Sequence, residues 1–193
     1  MERNKKIIYG GILVFIIIVA AVLLGLNRDE AAVSSEIDNY KGVSVYCNGK
    51  DIENNFGSHY SSDGYYYGEK WQCVEFVKRF YYDAKRHRMP DVFGNAKDFF
   101  DPAVAQGKIN HRRGMLQYRN GGNVKPEVDD LLVFTGSKYG HVAVITSTST
   151  AEVEIIQQNV EEPRQKVNLR EENGHYYLGK TDPPAGWLRL ESK

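Results

Sequence analysis

The chain has 193 residues, 41% of them hydrophobic and 12% aromatic, enough for about one domain around a single packed core. Its 25 Lys and Arg balance 25 Asp and Glu, so no global field draws a polyanion, and nucleic acid is excluded as a natural partner. Two cysteines, Cys47 and Cys73, are too few to staple a small secreted fold, and neither has zinc-site spacing.

Residues 7–26, IIYGGILVFIIIVAAVLLGL, carry no charge, and a run of about 20 apolar residues matches a hydrocarbon core of about 30 Å. Arg3, Lys5 and Lys6 precede this run, whereas Arg28 is followed at once by Asp29 and Glu30. The basic excess predicts residues 1–6 in the cytoplasm, a signal anchor over 7–26, and an extracytoplasmic remainder, periplasmic or at the cell surface. A cleaved signal peptide is the competing reading, but its apolar region usually spans only about 7–15 residues. Residues 27–39 are polar and read as a linker, leaving 40–193 as the folded domain.

Residues 40–67 are rich in Gly, Asn, Ser and Tyr and read as loops with one short strand at 43–46. From 71 to 86 the run WQCVEFVKRFYYDAKR places Cys73, Val77, Phe80, Tyr81 and Ala84 on one helical face. Glu75, Lys78, Arg79 and Asp83 fall on its polar side, and the i, i+4 spacing of Glu75 and Arg79 predicts a weak surface pair. A second, shorter helix is expected over 95–100. The C-terminal third holds β-prone runs at 130–134, 141–149, 152–159, 175–179 and 186–190. A helix followed by antiparallel strands predicts an α+β class, with the Cys-bearing helix packed on a sheet and one transmembrane helix ahead of it.

Cys73 falls in the first turn of the predicted helix, where free N–H groups and the helix dipole stabilise a thiolate. His141 opens the strand HVAVI, and an imidazole titrating near pH 6.5 is suited to take a thiol proton and return it to a leaving amine. The bland alternatives are a small buried hydrophobe and a satisfied polar residue.

Four motifs in order, GEKWQCVEFVKRF at 68–80, DDLLVF at 129–134, GHVAVI at 140–145 and IIQQN at 155–159, resemble the CHAP family of cysteine, histidine-dependent amidohydrolases and peptidases. QCVEF and the closing QN look particularly like the amidase domain of glutathionylspermidine and trypanothione synthetase-amidases. The resemblance implies a papain-like fold, Cys73 as nucleophile, His141 as general base and acid, and no cofactor. The family's third position, usually acidic, falls on Gln157, whose neutral carbonyl orients an imidazole but stabilises its charge less. Asn159 is the other candidate for orienting the ring. The Cys73 N–H is the first expected oxyanion donor, and Gln72 and Tyr67 are candidates for the oxyanion site and cleft wall.

The basic runs 85–88 and 111–113 read as solvated faces, Asp130 as the fixer of the turn before DLLVF, and the remaining histidines have no metal-ligand spacing. The function expected is thiol-dependent hydrolysis of amide or peptide bonds. Export points to peptidoglycan peptides as substrate and the subfamily resemblance to a glutathione–polyamine conjugate. A catalytically inactive peptide-binding module is the alternative from another class. The expected partners are peptide or peptidoglycan fragments, and the membrane through the N-terminal helix.

Overall fold

The computed structural model describes residues 32–191. Among these are twelve strands and one α-helix, so the molecule is mostly β, and the expectation of a helix-on-sheet α+β domain is corrected. Segments read as loops are strands. The short strand expected at 43–46 is β2 (Val43–Tyr46), paired with β1 (Glu36–Tyr40) inside the span read as linker, and the hairpin β3 (Ser58–Tyr60) and β4 (Tyr66–Glu69) lies in the tyrosine-rich stretch read as loops. The short helix expected over 95–100 is a single 3-10 turn, Ala96–Phe99, closed by a capping box between Asn95 and Asp98.

An eight-stranded antiparallel sheet forms the body. Its strands are β5 (Lys108–Asn110), β6 (Met115–Arg119), β7 (Leu131–Phe134), β8 (His141–Thr148), β9 (Glu152–Ile156), β10 (Arg164–Glu172), β11 (His175–Leu178) and β12 (Gly186–Arg189). Their spatial order is β11-β10-β9-β8-β7-β12-β6-β5. Strand period 2 separates the apolar runs of β7 and β8 onto two faces. Leu131, Val133, Val142 and Val144 join one cluster with the helix residues Phe76, Val77 and Phe80. Leu132, Ala143 and Ile145 join a second with Val153, Leu178 and Trp187. The single expected core is therefore two. The sheet curls around the second until Gly121 N–H reaches Tyr176 O at 2.7 Å and Leu178 N–H reaches Asn120 Oδ1 at 2.7 Å.

The helix α1 (Cys73–Lys85) starts from an extended Gln72 and ends at a left-handed Arg86. The expected spanning segment, residues 7–26, lies outside the described residues. Among the described residues no helix is long and apolar enough to cross a membrane. α1 has 13 residues and carries Glu75, Lys78, Arg79, Asp83 and Lys85, too short and too charged for a hydrocarbon core that needs about 20 apolar residues. The single-pass architecture and the extracytoplasmic location built on it are withdrawn on that finding.

Candidate active site

Cys73 is the first residue of α1 and 8% exposed. His141 is the first residue of β8, and its ring faces the Cys73 thiol, each group shifting the other's ionisation. The residue before it, Gly140, has φ +75° and a backbone so crowded that a Cβ would lie 2.5 Å from Lys97 N and 2.6 Å from Phe134 O. Only glycine fits this turn, and the turn delivers His141 to the head of the helix.

His141 Nε2 lies 2.9 Å from Gln157 Oε1. The Gln157 amide is oriented by its own Nε2, which donates to Glu162 O at 3.4 Å and to Gln165 Oε1 at 3.3 Å. An amide oxygen only accepts, so Nε2 of the imidazole carries the proton and Nδ1 is left for the thiol.

Burial pushes the Cys73 thiol up, but the facing His141 charge, its hydrogen bond and the Val142 and Val74 N–H groups outweigh this and bring it below its ordinary value. Burial pulls His141 down, while the Cys73 charge, the hydrogen bonds the ring makes to Cys73 and Gln157, and the Asp182 carboxylate together raise it. Both directions favour a thiolate–imidazolium pair.

The three residues after β9 fix both partners of this pair. Gln157 holds the imidazole. Gln158 Nε2 donates to Gln72 O at 3.1 Å and to Glu75 Oε2 at 2.7 Å, while its Oε1 accepts Tyr46 N–H at 2.8 Å. Asn159 Nδ2 donates to Gln72 Oε1 at 2.7 Å and to Ile52 O at 2.8 Å. Asn159 thus anchors the segment before the nucleophile and not the ring.

Gln72 spends both Nε2 protons on Ile52 O at 3.1 Å and Asn54 O at 2.6 Å, so its side chain braces the cleft floor and has no proton left for an oxyanion. The first-turn N–H groups of α1 have no intrahelical acceptor, and that of Val74 bears on the Cys73 sulfur. Tyr67 is buried, its hydroxyl donating to Asp83 Oδ1 at 3.2 Å and its ring edge-on to His59 and Tyr65. Its neighbour Tyr66 reaches the cleft instead.

The expected surface pair is a buried network. Glu75 is 0% and Arg79 7% exposed. Arg79 Nε donates to Glu75 Oε1 at 2.6 Å, and His59 Nδ1 lies 2.8 Å from the same oxygen. Sequence periodicity put these residues outward because it does not register β3 and β4 folding over the helix. The basic runs also hold structure: Arg113 is fully buried, donating to Asp91 O and Phe93 O and stacked 3.7 Å from the Phe99 ring. Asp130 does fix its turn, accepting from Glu127 N–H at 2.7 Å and from Arg189.

A cavity of about 730 Å³ is lined by Cys73 and His141, and a second of about 640 Å³ by His141 and Gln157. A family model, the CHAP domain, matches residues 62–159, just over half of the chain. The chain belongs to the CHAP family. Cys73, His141 and the Gln157–Asn159 run all fall inside the CHAP match.

This CHAP chain is 29% identical over 141 residues to trypanothione synthetase of Crithidia fasciculata, covering 65% of the chain and 22% of that protein. It is 33% identical over 142 residues to the bifunctional glutathionylspermidine synthetase/amidase of Escherichia coli (strain K12), and equally to that of Shigella flexneri, covering 65% of the chain and 23% of each. The chain therefore spans just under a quarter of the length of the curated relatives it matches.

Proposed function

We propose that the protein is a thiol-dependent hydrolase of amide bonds, with Cys73 as nucleophile and His141 as general acid and base. Membership of the CHAP family, and likeness to relatives whose names include an amidase, support amide hydrolysis. The observation that carries the finer reading is the Cys73 thiol facing an imidazole whose far nitrogen is pinned by Gln157.

The thiolate attacks the amide carbonyl carbon, and the negative oxygen takes N–H donors at the head of α1. His141 passes its Nδ1 proton to the amide nitrogen, the C–N bond breaks, and the amine departs from a thioester. Nδ1 then takes a proton from water, whose oxygen attacks the thioester and frees the acid and the thiolate. Gln157 replaces a carboxylate in this scheme by fixing the ring through a neutral acceptor, as a neutral amide does in papain-like enzymes.

Two substrate classes follow from the chemistry. The names of the relatives favour an amide joining glutathione to a polyamine. Peptidoglycan peptides were expected from export, and that support has been withdrawn. Incubating the full chain with glutathionylspermidine and, separately, with muropeptides, then weighing the products, tests the reading. Release that vanishes in Cys73→Ala is the expected result. Release from neither substrate, together with a Cys73 that iodoacetamide labels no faster than an ordinary thiol, would sink the enzyme in favour of a binding module.

A further inference from the structure

Gln157 orients the imidazole but brings no charge to it. Its neutral amide oxygen holds the far ring nitrogen at 2.9 Å, whereas a thiolate–imidazolium pair leaves a cation in the half-buried ring. A carboxylate within electrostatic reach stabilises such a cation more than an amide does.

Asp182 is placed to supply that charge. It lines the second cavity together with His141 and Gln157, and its carboxylate is one of the groups that raise the ring. The chain fixes its position from both ends. Gly179 turns at φ +70° with its N–H bonded to Asn168 O at 3.0 Å, and Pro183 follows, which disfavours helical backbone at Asp182. Ala185 N–H then joins Val133 O at 2.8 Å. Asp182 Oδ1 rests on the bare backbone of Gly136, where a Cβ would lie 3.0 Å from it. Gly136 belongs to the connection between β7 and β8 that ends at His141, so the short side chain is seated on the same turn that delivers the ring.

Other charged groups share the surroundings of the ring. Cys73 meets it from α1, and Lys97 packs against Gly140 from the 3-10 turn. Glu161, Glu162, Lys166 and Lys180 line the second cavity, and Glu53, Glu69 and Lys138 line the first. Lys166 is paired with Glu152 at 2.5 Å, and Glu69 accepts from Tyr66 Oη at 2.6 Å and from Ser58 Oγ at 2.9 Å.

We infer that Asp182 is a positioning residue for the reaction proposed above, keeping His141 protonated beside the Cys73 thiolate, so that Gln157 supplies the orientation of the ring and Asp182 the opposing charge. It acts on substrate only through His141, and the inference rests on the proposed function.

Asp182→Asn keeps the shape of the side chain and removes its charge. The His141 titration is followed in the full chain by NMR of histidine labelled at Cε1, its signal assigned by loss in His141→Gln. The midpoint should fall by about half a pH unit in Asp182→Asn and by much less in Glu161→Gln, which removes another carboxylate of the same cavity. Asp182 is exposed, so the difference between wild type and Asp182→Asn should shrink in about 1 M NaCl, where charges are screened over about 3 Å. Gln157→Glu added to Asp182→Asn should bring the midpoint back up, which a residue that only shapes its loop would not allow. An unmoved midpoint, an equal fall in Glu161→Gln, or a fall that high salt leaves intact would overturn the role of Asp182, and the proposed function would stand if iodoacetamide still labels Cys73 faster than an ordinary thiol. A Cys73 labelled no faster than that would overturn both.

Discussion

At the scale of single residues, the pair Cys73–His141 sets an expected pH profile. The ionised pair exists after Cys73 has lost its proton and before His141 has lost its own. Cys73 lies below its ordinary 9.0 and His141 above its ordinary 6.5. Iodoacetamide labelling of Cys73 should therefore rise at a lower pH than that of a free thiol, and turnover should fall only once the pH passes the raised imidazole value. Gln157→Ala leaves the Nε2–H without its acceptor, a loss of about 1–3 kcal/mol. The labelling midpoint should move up, and turnover should drop roughly tenfold to a hundredfold. An unmoved midpoint measured by pH-dependent labelling and mass analysis would mean that Gln157 does not orient the ring. The candidate nucleophile was legible in the sequence because a cysteine at the predicted start of an amphipathic helix has a physical reason to be reactive. Gln158 was not: its role depends on Tyr46, Gln72 and Glu75 converging on one amide, and none is near it in the chain.

Elements carry this chemistry by where they begin. α1 begins at Cys73 and β8 at His141, so the reactive groups sit at two element starts held together by the strap 157–159. Gly140 is the tightest part of that construction, and Gly140→Ala should be strongly felt. Its positive φ and the 2.5 Å approach to Lys97 N leave no room for a methyl group, so the turn must shift and carry His141 away from the thiol. The expected outcome is slower labelling of Cys73 near neutral pH with the chain still folded, read by labelling rate beside circular dichroism. The periodicity of α1 identified its apolar stripe and the exposed Asp83 correctly, and placed Glu75, Lys78 and Arg79 wrongly. Glu75, Lys78 and Arg79 are charged, so a pattern rule sends them to water. In the fold they find partners in β2, β3, β4, the strap and Val92 O, and those long-range partners leave no trace in local spacing.

The whole molecule combines two apolar clusters on opposite faces of one curled sheet with a set of buried charges beneath the cleft. The runs of β7 and β8 announced strands but not a two-sided burial, because a continuous apolar run reads the same whether its second face meets a helix or the far edge of its own sheet. The buried charges should show in stability against pH. Burial raises the Glu75 carboxyl, but His59, Arg79 and Gln158 bring it below its ordinary 4.5, so its contribution is present above that value and is lost as pH falls through the folded one. Lys78 is fully buried, donates to Tyr66 O and Val92 O, and is brought down from 10.5 to about 7, chiefly by burial. Between about 7 and 10.5 the unfolded chain holds a proton there that the folded chain does not, so stability should climb with pH across that window, at up to about 1.4 kcal/mol per pH unit. Tyr66, raised by burial and by Glu69 to about 12, opposes the climb above 10, where the unfolded phenol ionises first. Urea unfolding at pH 6, 8 and 9.5 should show the rise in the wild type and a flatter line in Lys78→Met, which keeps the length of the chain without the charge. The same slope in both proteins would mean that Lys78 remains protonated under the cleft and that the climb belongs to another group.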